Sequence, residues 1–308
     1  PLMPSNGPPA RSVFLFRHHT NKTKKHEISA QTNKIHKFHG NTIAVFSQFR
    51  RVPCPPRPPA DLKQQLESTT RFRTLASCKC CGTSAALDGY ADFDRDCYGF
   101  NQKRSQIRGI PIPYYRCPAC EFAFTDAFDE WSPEDFKAHI YNDEYEIFDP
   151  NYASIRPQRT AELVQHLVRS RKMRILDYGS GNGLTAGLLR DSGYTDVTEY
   201  DPFHGDATKP SQGGFDLVLC IEVAEHVTQP IALFAELGQY VAPQGIILLS
   251  TKDMSAVPGR WSDDWYVAPR NGHVSFYTSR TLQLLANSMG QRHHQLDGFR
   301  HLLMPQAT

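Results

Sequence analysis

The stretch Leu176-Asp177-Tyr178-Gly179-Ser180-Gly181-Asn182-Gly183 constrains the 308-residue chain more than any other. A short strand, Arg174-Ile175-Leu176-Asp177, runs into three glycines at alternate positions. A helix with Leu184, Leu188 and Leu189 on one face follows. Glycine lets the backbone pass close to a ligand, because no Cβ stands in the way. Leu163, Val164, Leu167 and Val168 precede this unit at helical spacing. Strands are predicted at Asp196–Tyr200, Phe215–Ile221 and Gly245–Ser250. Helices are predicted at 230–241, with Ile231, Phe234, Leu237 and Val241 inward, and at 279–289. Strands alternating with helices require a mostly parallel sheet covered on both faces, so the fold class is α/β, doubly wound and Rossmann-like.

Charge divides the chain. Residues 1–60 hold ten basic groups and one acid, Glu27, whereas the remainder carries 24 basic and 31 acidic groups. An acidic body argues against a broad basic face for nucleic acid. No apolar run approaches the ~18–20 residues of a bilayer-spanning helix. Residues 1–70 are predicted to be a disordered, basic, Pro-rich tail, with Pro8-Pro9, Pro55-Pro56 and Pro58-Pro59 and no apolar periodicity before a polar turn at 61–70. An acid-poor basic tail admits a transit-peptide or a nucleic-acid reading. Because the sequence opens on Pro1 rather than Met, an upstream reading-frame artefact is an equal reading, and the tail stays outside the fold argument. Residues 71–124 hold most of the cysteines with little aliphatic content, which suits a small module held by metal. Residues 125–158 are an acidic, aromatic connecting segment with a helix expected over Pro133–Ile140, and residues 159–308 form the α/β domain.

The dinucleotide fingerprint G-x-G-x-x-G would put its third glycine at position 184, which is Leu184, so that reading fails. The acid two residues before the first glycine, Asp177, suits a cationic ligand and would repel a pyrophosphate. The second strand closes on Tyr200-Asp201-Pro202, where an acid faces the switch-point crevice and can take both hydroxyls of a ribose. Taken together these residues resemble class I S-adenosylmethionine-dependent methyltransferases, whose first motif is acid-x-Gly-x-Gly-x-Gly and whose second is an acid closing strand two. The resemblance implies a cofactor site of Asp177, Gly179, Gly181, Asn182, Gly183, Asp201 and Pro202. A lone glycine turn is equally an ordinary tight connection, but Asp201 and the motif that follows select against that.

That further motif is Phe215-Asp216, opening a strand that runs into Cys220-Ile221-Glu222-Val223-Ala224-Glu225-His226. It resembles the fourth motif of the same family, which implies that Cys220 and Ile221 line the adenosyl pocket. His226 is the candidate general base, since an imidazole of ordinary pKa about 6.5 accepts a proton at working pH, with Glu225 or Glu222 to orient it. Small-RNA and some quinone methyltransferases place a divalent metal on a similar Glu-x-x-Glu-His, which here would be Glu222, Glu225 and His226 completed by His273. A turn-capping role for His226 is the plain alternative. The aromatic stretch Trp261-Ser262-Asp263-Asp264-Trp265-Tyr266, followed by His273–Thr278, is similar to methyltransferases of the sugar C-methyl type; it is either a wall enclosing a sulfonium or sugar face, or core packing. One departure stands out: Phe215 lies only fourteen positions after Asp201, too few for the family's usual helix and third strand, and Asp206 is a weak stand-in for that strand's adenine-contacting acid.

Cys78-Lys79-Cys80-Cys81 and Cys117-Pro118-Ala119-Cys120 supply two C-x-x-C knuckles. Cys78, Cys81, Cys117 and Cys120 together complete one closed, structural tetrahedral zinc site. Cys80 and Cys97 are left over, Cys80 could replace Cys81, and free thiols or a disulfide are the alternatives. The arrangement resembles the zinc-ribbon-like module found before some small-molecule and sugar methyltransferases. Reduced thiols place the chain in a reducing, cytoplasmic setting. The expectation is an S-adenosylmethionine-dependent methyltransferase of a small-molecule or sugar acceptor. The rivals are an RNA- or quinone-type enzyme with a divalent metal, and a zinc-containing binding protein that has lost turnover. Nothing in the sequence indicates the oligomeric state.

Overall fold

The computed structural model describes residues 73–98, 109–203 and 208–306, together with Leu62, Gln64 and Leu66. The tail reading over 1–70, save those three residues, and Asp206 therefore lie outside the described residues. All described residues belong to the compact unit Pro55–Thr308. Among the described residues, no helix is long and apolar enough to cross a membrane.

The larger sheet contains β5 (Arg174–Tyr178), β6 (Asp196–Tyr200), β7 (Phe215–Ile221), β8 (Val241–Ser250), β10 (Gln291–Gln295) and β11 (Arg300–Pro305). Its order is β10-β11-β8-β7-β5-β6. The pairs β5·β6, β5·β7 and β7·β8 are parallel, while β11 runs antiparallel to both β8 and β10. Successive side chains leave opposite faces of a strand, and the two faces fill two different cores. Ile175, Leu217, Leu219, Leu248 and Leu302 pack with Val164 of α3 (Ile155–Leu167) and Leu189 of α4 (Leu184–Asp191). Their neighbours Leu176, Val218, Cys220, Ile247, Leu249 and Leu303 pack with Phe234 of α5 (Pro230–Tyr240) and Leu282 of α6 (Ser279–Ser288). Strands buried on both faces read as apolar runs rather than alternations, which is how Leu217–Ile221 reads. Among the described residues no strand lies outside β6, so β6 is a sheet edge. The short Asp201–Phe215 spacing leaves no length for one.

The smaller sheet has the order β1-β2-β3-β4-β9, built from β1 (Leu75–Ser77), β2 (Ser84–Asp92), β3 (Pro111–Arg116), β4 (Ala123–Phe124) and β9 (Ser275–Phe276). Each knuckle is the loop of a hairpin, residues 78–83 between β1 and β2 and residues 117–122 between β3 and β4. Glu121 completes the second turn at φ 64°, and Glu121 N–H donates to the Cys117 carbonyl at 3.0 Å. The sheet takes its last strand, β9, from the C-terminal half of the chain. Between the two sheets in sequence lie α1 (Pro133–His139) and α2 (Tyr145–Phe148). Ser132 and Asp135 close a reciprocal capping box at the start of α1, and Pro133 follows where a missing N–H costs nothing.

Candidate active site

The glycine turn lies at the C-terminal edge of the larger sheet. Gly179, Gly181 and Gly183 all adopt positive φ. A Cβ on Gly181 would stand 3.0 Å from the Tyr152 hydroxyl, and one on Gly179 would overlap the Val223 side chain. The sequence-predicted acid Asp201 sits directly beside the turn: its Oδ2 accepts from Gly181 N–H at 2.8 Å and its Oδ1 from Phe203 N–H at 2.8 Å. Gly179 N–H donates to the Tyr200 carbonyl at 2.8 Å, which ties the turn to the end of β6. Asp177, at the base of the turn, is buried and its Oδ2 has no hydrogen-bond partner. Burial, with Glu199 and Asp201 nearby, pushes its carboxyl up to about 7. An orphaned acceptor of that kind fits a cationic ligand group.

Asn182 is exposed and donates from Nδ2 to the Ala153 carbonyl at 2.9 Å, so the connecting segment is fastened across the turn. Pro202 is exposed, and Ile221 is partly buried at the end of β7. Cys220 is fully buried in the core beneath the sheet, where burial raises its thiol well above the usual range.

Past β7 the chain turns sharply. Glu222 takes φ 54°, a left-handed conformation rare outside glycine. A 3-10 turn over Ala224–His226 follows. Glu222 accepts from Ser250 Oγ at 2.5 Å, and Arg156 Nε lies 3.9 Å from its other oxygen. Arg156 is itself held by Asp149 through two bonds of 2.9 and 3.1 Å. Glu225 is fully buried; one oxygen accepts from Tyr266 Oη at 2.7 Å and the other has no partner. Burial and the neighbouring Glu222 raise the Glu225 carboxyl well above the carboxylate range, and burial raises Glu222 as well. Two facing carboxylates in such a place need a proton or a cation between them.

The two histidines singled out in the sequence meet here, their ring centroids 4.9 Å apart. His226 Nδ1 lies 3.2 Å from the Gly272 carbonyl and His273 Nδ1 lies 2.7 Å from the Tyr266 carbonyl. A carbonyl only accepts, so each Nδ1 carries the proton and each Nε2 keeps a lone pair. Burial, helped by His273, lowers His226 well below its ordinary pKa, and burial lowers His273 to about 4. Both imidazoles are therefore neutral at neutral pH. Glu225, His226 and His273 offer ligand atoms within 4.8 Å of one another. The orphaned Glu225 oxygen and two imidazoles steered by backbone carbonyls fit a divalent cation.

Sequence reasoning missed an aromatic row from the connecting segment. Tyr152, Tyr145 and Tyr141 follow one another at centroid distances of 5.3 and 5.2 Å, and Tyr141 reaches His226 at 5.9 Å. The row runs from the glycine turn to the histidine pair. Arg156 was missed as well. The aromatic richness of 131–152 was visible in sequence, but its position over the turn depends on tertiary packing. In the Trp261–Tyr266 stretch, Trp261 is buried under the Arg116 guanidinium at 3.9 Å, Tyr266 holds Glu225, and Trp265 is partly exposed.

The four knuckle cysteines bring their sulfurs within 4.8 Å of one another, with Cys78–Cys120 and Cys81–Cys117 both at 3.5 Å. A tetrahedral zinc with bonds of about 2.3 Å spaces its thiolates by about 3.8 Å, which the cluster can meet. Cys80 N–H donates to Cys78 Sγ at 3.4 Å. The hydrogen bond from Cys120, with backbone donors of the knuckle, brings Cys78 down to about 5, the thiolate form that metals take. Cys80 is outside the cluster, and burial with the surrounding sulfurs raises its thiol. Cys97 lies 3.8 Å from His273 Nδ1 instead.

Residues 152–295 match a family model described as a methyltransferase domain. A ubiquinone biosynthesis O-methyltransferase of Rickettsia typhi is 31% identical over 102 residues, 26% of this chain and 41% of that protein. The chain thus spans about two fifths of the length of that curated relative. Among solved structures, a didemethyltoxoflavin N1-methyltransferase of Burkholderia thailandensis is 18% identical, covering 61% of this chain and 96% of the other at TM-score 0.40. An S-adenosylmethionine-dependent methyltransferase of Thermotoga maritima is 13% identical, covering 55% and 100% at TM-score 0.40.

The Cys₄ geometry carries a prediction. Protein purified without chelator should contain about one zinc per chain. Cys117→Ser should lose it. Metal analysis showing zinc retained in that variant would mean that the ligand set is wrong.

Proposed function

We propose that this chain, whose residues 152–295 form a methyltransferase domain, methylates a small-molecule or sugar acceptor with S-adenosylmethionine as donor. The observation that carries the proposal is the juxtaposition at one sheet edge of a glycine turn, Asp201 bonded to it at 2.8 Å, and a buried pair of neutral imidazoles. When bound, S-adenosylmethionine supplies an electrophilic methyl group on a sulfonium. Asp201 takes the ribose hydroxyls, and Gly179, Gly181 and Gly183 admit the cofactor close to the backbone. The unpartnered Asp177 oxygen meets a cationic group, with Asn182, Pro202 and Ile221 around the same crevice, while Cys220, expected from the sequence to line it, is packed in the core behind. The residues between turn and histidines hold the acceptor at near-attack distance, about 3–3.5 Å, which is most of what an in-line displacement requires. His226 Nε2 removes the acceptor proton, with Glu225 beside it. The acidic body of the chain, 31 acidic against 24 basic groups beyond residue 60, favours a small acceptor over RNA. The Cys78, Cys81, Cys117 and Cys120 cluster holds a structural zinc.

A second reading has its own support. Glu225, His226 and His273 bring one ligand atom each within 4.8 Å of one another, and one Glu225 oxygen has no partner, a donor set for Mg²⁺ or Mn²⁺ from which Glu222 is left out. In that case the ion would orient and acidify an acceptor hydroxyl, and His226 would be a ligand rather than a base.

Asp201→Ala removes a charge-assisted acceptor worth roughly 1.5–3 kcal/mol. Calorimetric affinity for S-adenosylmethionine should fall about ten- to a hundredfold. Unchanged affinity would dismiss the role given to Asp201.

With sugar nucleotides as the first acceptors screened, His226→Ala should cost about 10²–10⁴ in turnover at little change in cofactor affinity. The folded pKa of His226 lies below its ordinary value, so the base is already neutral above that lowered pKa. The acid limb of the rate profile should accordingly fall below about pH 6.5. Loss of activity on chelation that spares the zinc, with recovery on adding Mn²⁺, would select the metal reading. A fully active His226→Ala would remove both.

A further inference from the structure

We propose that the cysteine module is a positioning element for the acceptor side of the active site, acting through Tyr114 and β4 on His273 and Glu225. This rests on the zinc reading and on the catalytic reading of the 224–227 turn.

The connection is a short series of hydrogen bonds. The second knuckle ends at Phe122 and passes directly into β4, which pairs with β9 through Ala123↔Phe276 and Phe124↔Ser275. One residue further, Thr125 N–H donates to the Val274 carbonyl at 3.0 Å. Val274 N–H in turn donates to the Glu225 carbonyl at 2.7 Å. Tyr114 of β3, almost fully buried, donates from its hydroxyl to the His273 carbonyl at 3.0 Å. On the far side of the same segment, Ser275 Oγ donates to the Val227 carbonyl at 2.6 Å and Tyr277 Oη to the Ala224 carbonyl at 3.0 Å. Residues 273–277 are therefore clasped between the cysteine sheet and the turn that carries Glu225 and His226.

The knuckle itself is tied in. The Cys120 carbonyl accepts from Thr281 Oγ1 at 2.8 Å, and Phe122 packs against Tyr277 at 5.2 Å. A two-residue strand such as β4 has little stability of its own, so its geometry depends on the hairpin that the four thiolates close. The glycine turn is held differently, by the Tyr200 carbonyl and the Asp201 carboxylate at the end of β6. Loss of the metal should therefore loosen the histidine pair and leave the cofactor side in place.

The test uses the whole 308-residue chain, with zinc measured in every sample, S-adenosylhomocysteine titrated as the probe of the cofactor side, and ¹³Cε1-histidine NMR with amide hydrogen exchange as probes of the acceptor side. Tyr114→Phe deletes one hydroxyl and leaves the thiolates untouched. It should keep its zinc and bind S-adenosylhomocysteine within about twofold of wild type. It should shift the His226 and His273 resonances but not that of the exposed His166 on α3. Amide exchange over 224–227 and 273–277 should rise about tenfold or more. Cys117→Ser should give a larger version of the same pattern. A Tyr114→Phe protein with zinc bound and with histidine signals and exchange unchanged would overturn the proposal, as would loss of S-adenosylhomocysteine binding in step with the histidine changes. Wild-type protein without zinc would overturn it by a different route, through the metal reading itself.

Discussion

Burying the Glu225 carboxylate at the end of β7 costs several kcal/mol unless donors, a proton or a cation meet it. Much of the active site follows from how that demand is answered. Tyr266 Oη supplies one donor at 2.7 Å, which fixes the 261–266 segment against the turn. Glu222 stands close enough to raise the Glu225 carboxyl further, and Arg156 and Ser250 compensate the Glu222 side. The remaining Glu225 oxygen has no partner, and two imidazoles that burial keeps neutral offer ligand atoms within 4.8 Å of the same carboxyl group. A site so arranged can take up a proton or a divalent ion, the two chemistries on which the proposed acceptor activation rests.

The cofactor side obeys a different constraint, close backbone approach. The glycine turn leaves β5, one strand in from the β6 edge of the parallel half of the sheet, where strand C-terminal ends open a crevice. Asp201 arrives there because β6 runs parallel to β5 in register, Tyr178 opposite Tyr200. The connecting segment then covers the turn from outside, with Tyr152 at Gly181 and the Ala153 carbonyl on Asn182. Two sides built by different elements can be perturbed separately, which gives the inference about the cysteine module its experimental handle.

How much of this was legible in the sequence depended on how local the signal is. The strands at 174–178 and 215–221 and the helices at 230–240 and 279–288 announce themselves by apolar runs and by 3.6-residue spacing. The knuckles announce themselves by ligand spacing alone. By contrast β10 reads Gln-Arg-His-His-Gln, with no apolar alternation, and becomes a strand only through its pairing with β11. β3 contains two prolines, Pro111 and Pro113, which mask a strand whose Ile112, Tyr114 and Tyr115 are buried. The Glu225–His226 motif was visible, as was His273, but nothing in a spacing of 47 residues says that they touch. That contact is made by tertiary hydrogen bonds through Val274 and Tyr266. Tyr141, Tyr152 and Arg156 carry no motif at all; their place over the site comes from the path of the connecting segment.

The central claim is that the glycine turn and Asp201 form a binding site for S-adenosylmethionine in the intact chain. Titration calorimetry of the 308-residue wild-type chain with S-adenosylmethionine tests it without knowledge of the acceptor. Saturable binding at about one site per chain is the result expected of an intact domain. The absence of any saturable heat, in protein shown to be folded, would contradict it and leave a binding module that has lost its cofactor.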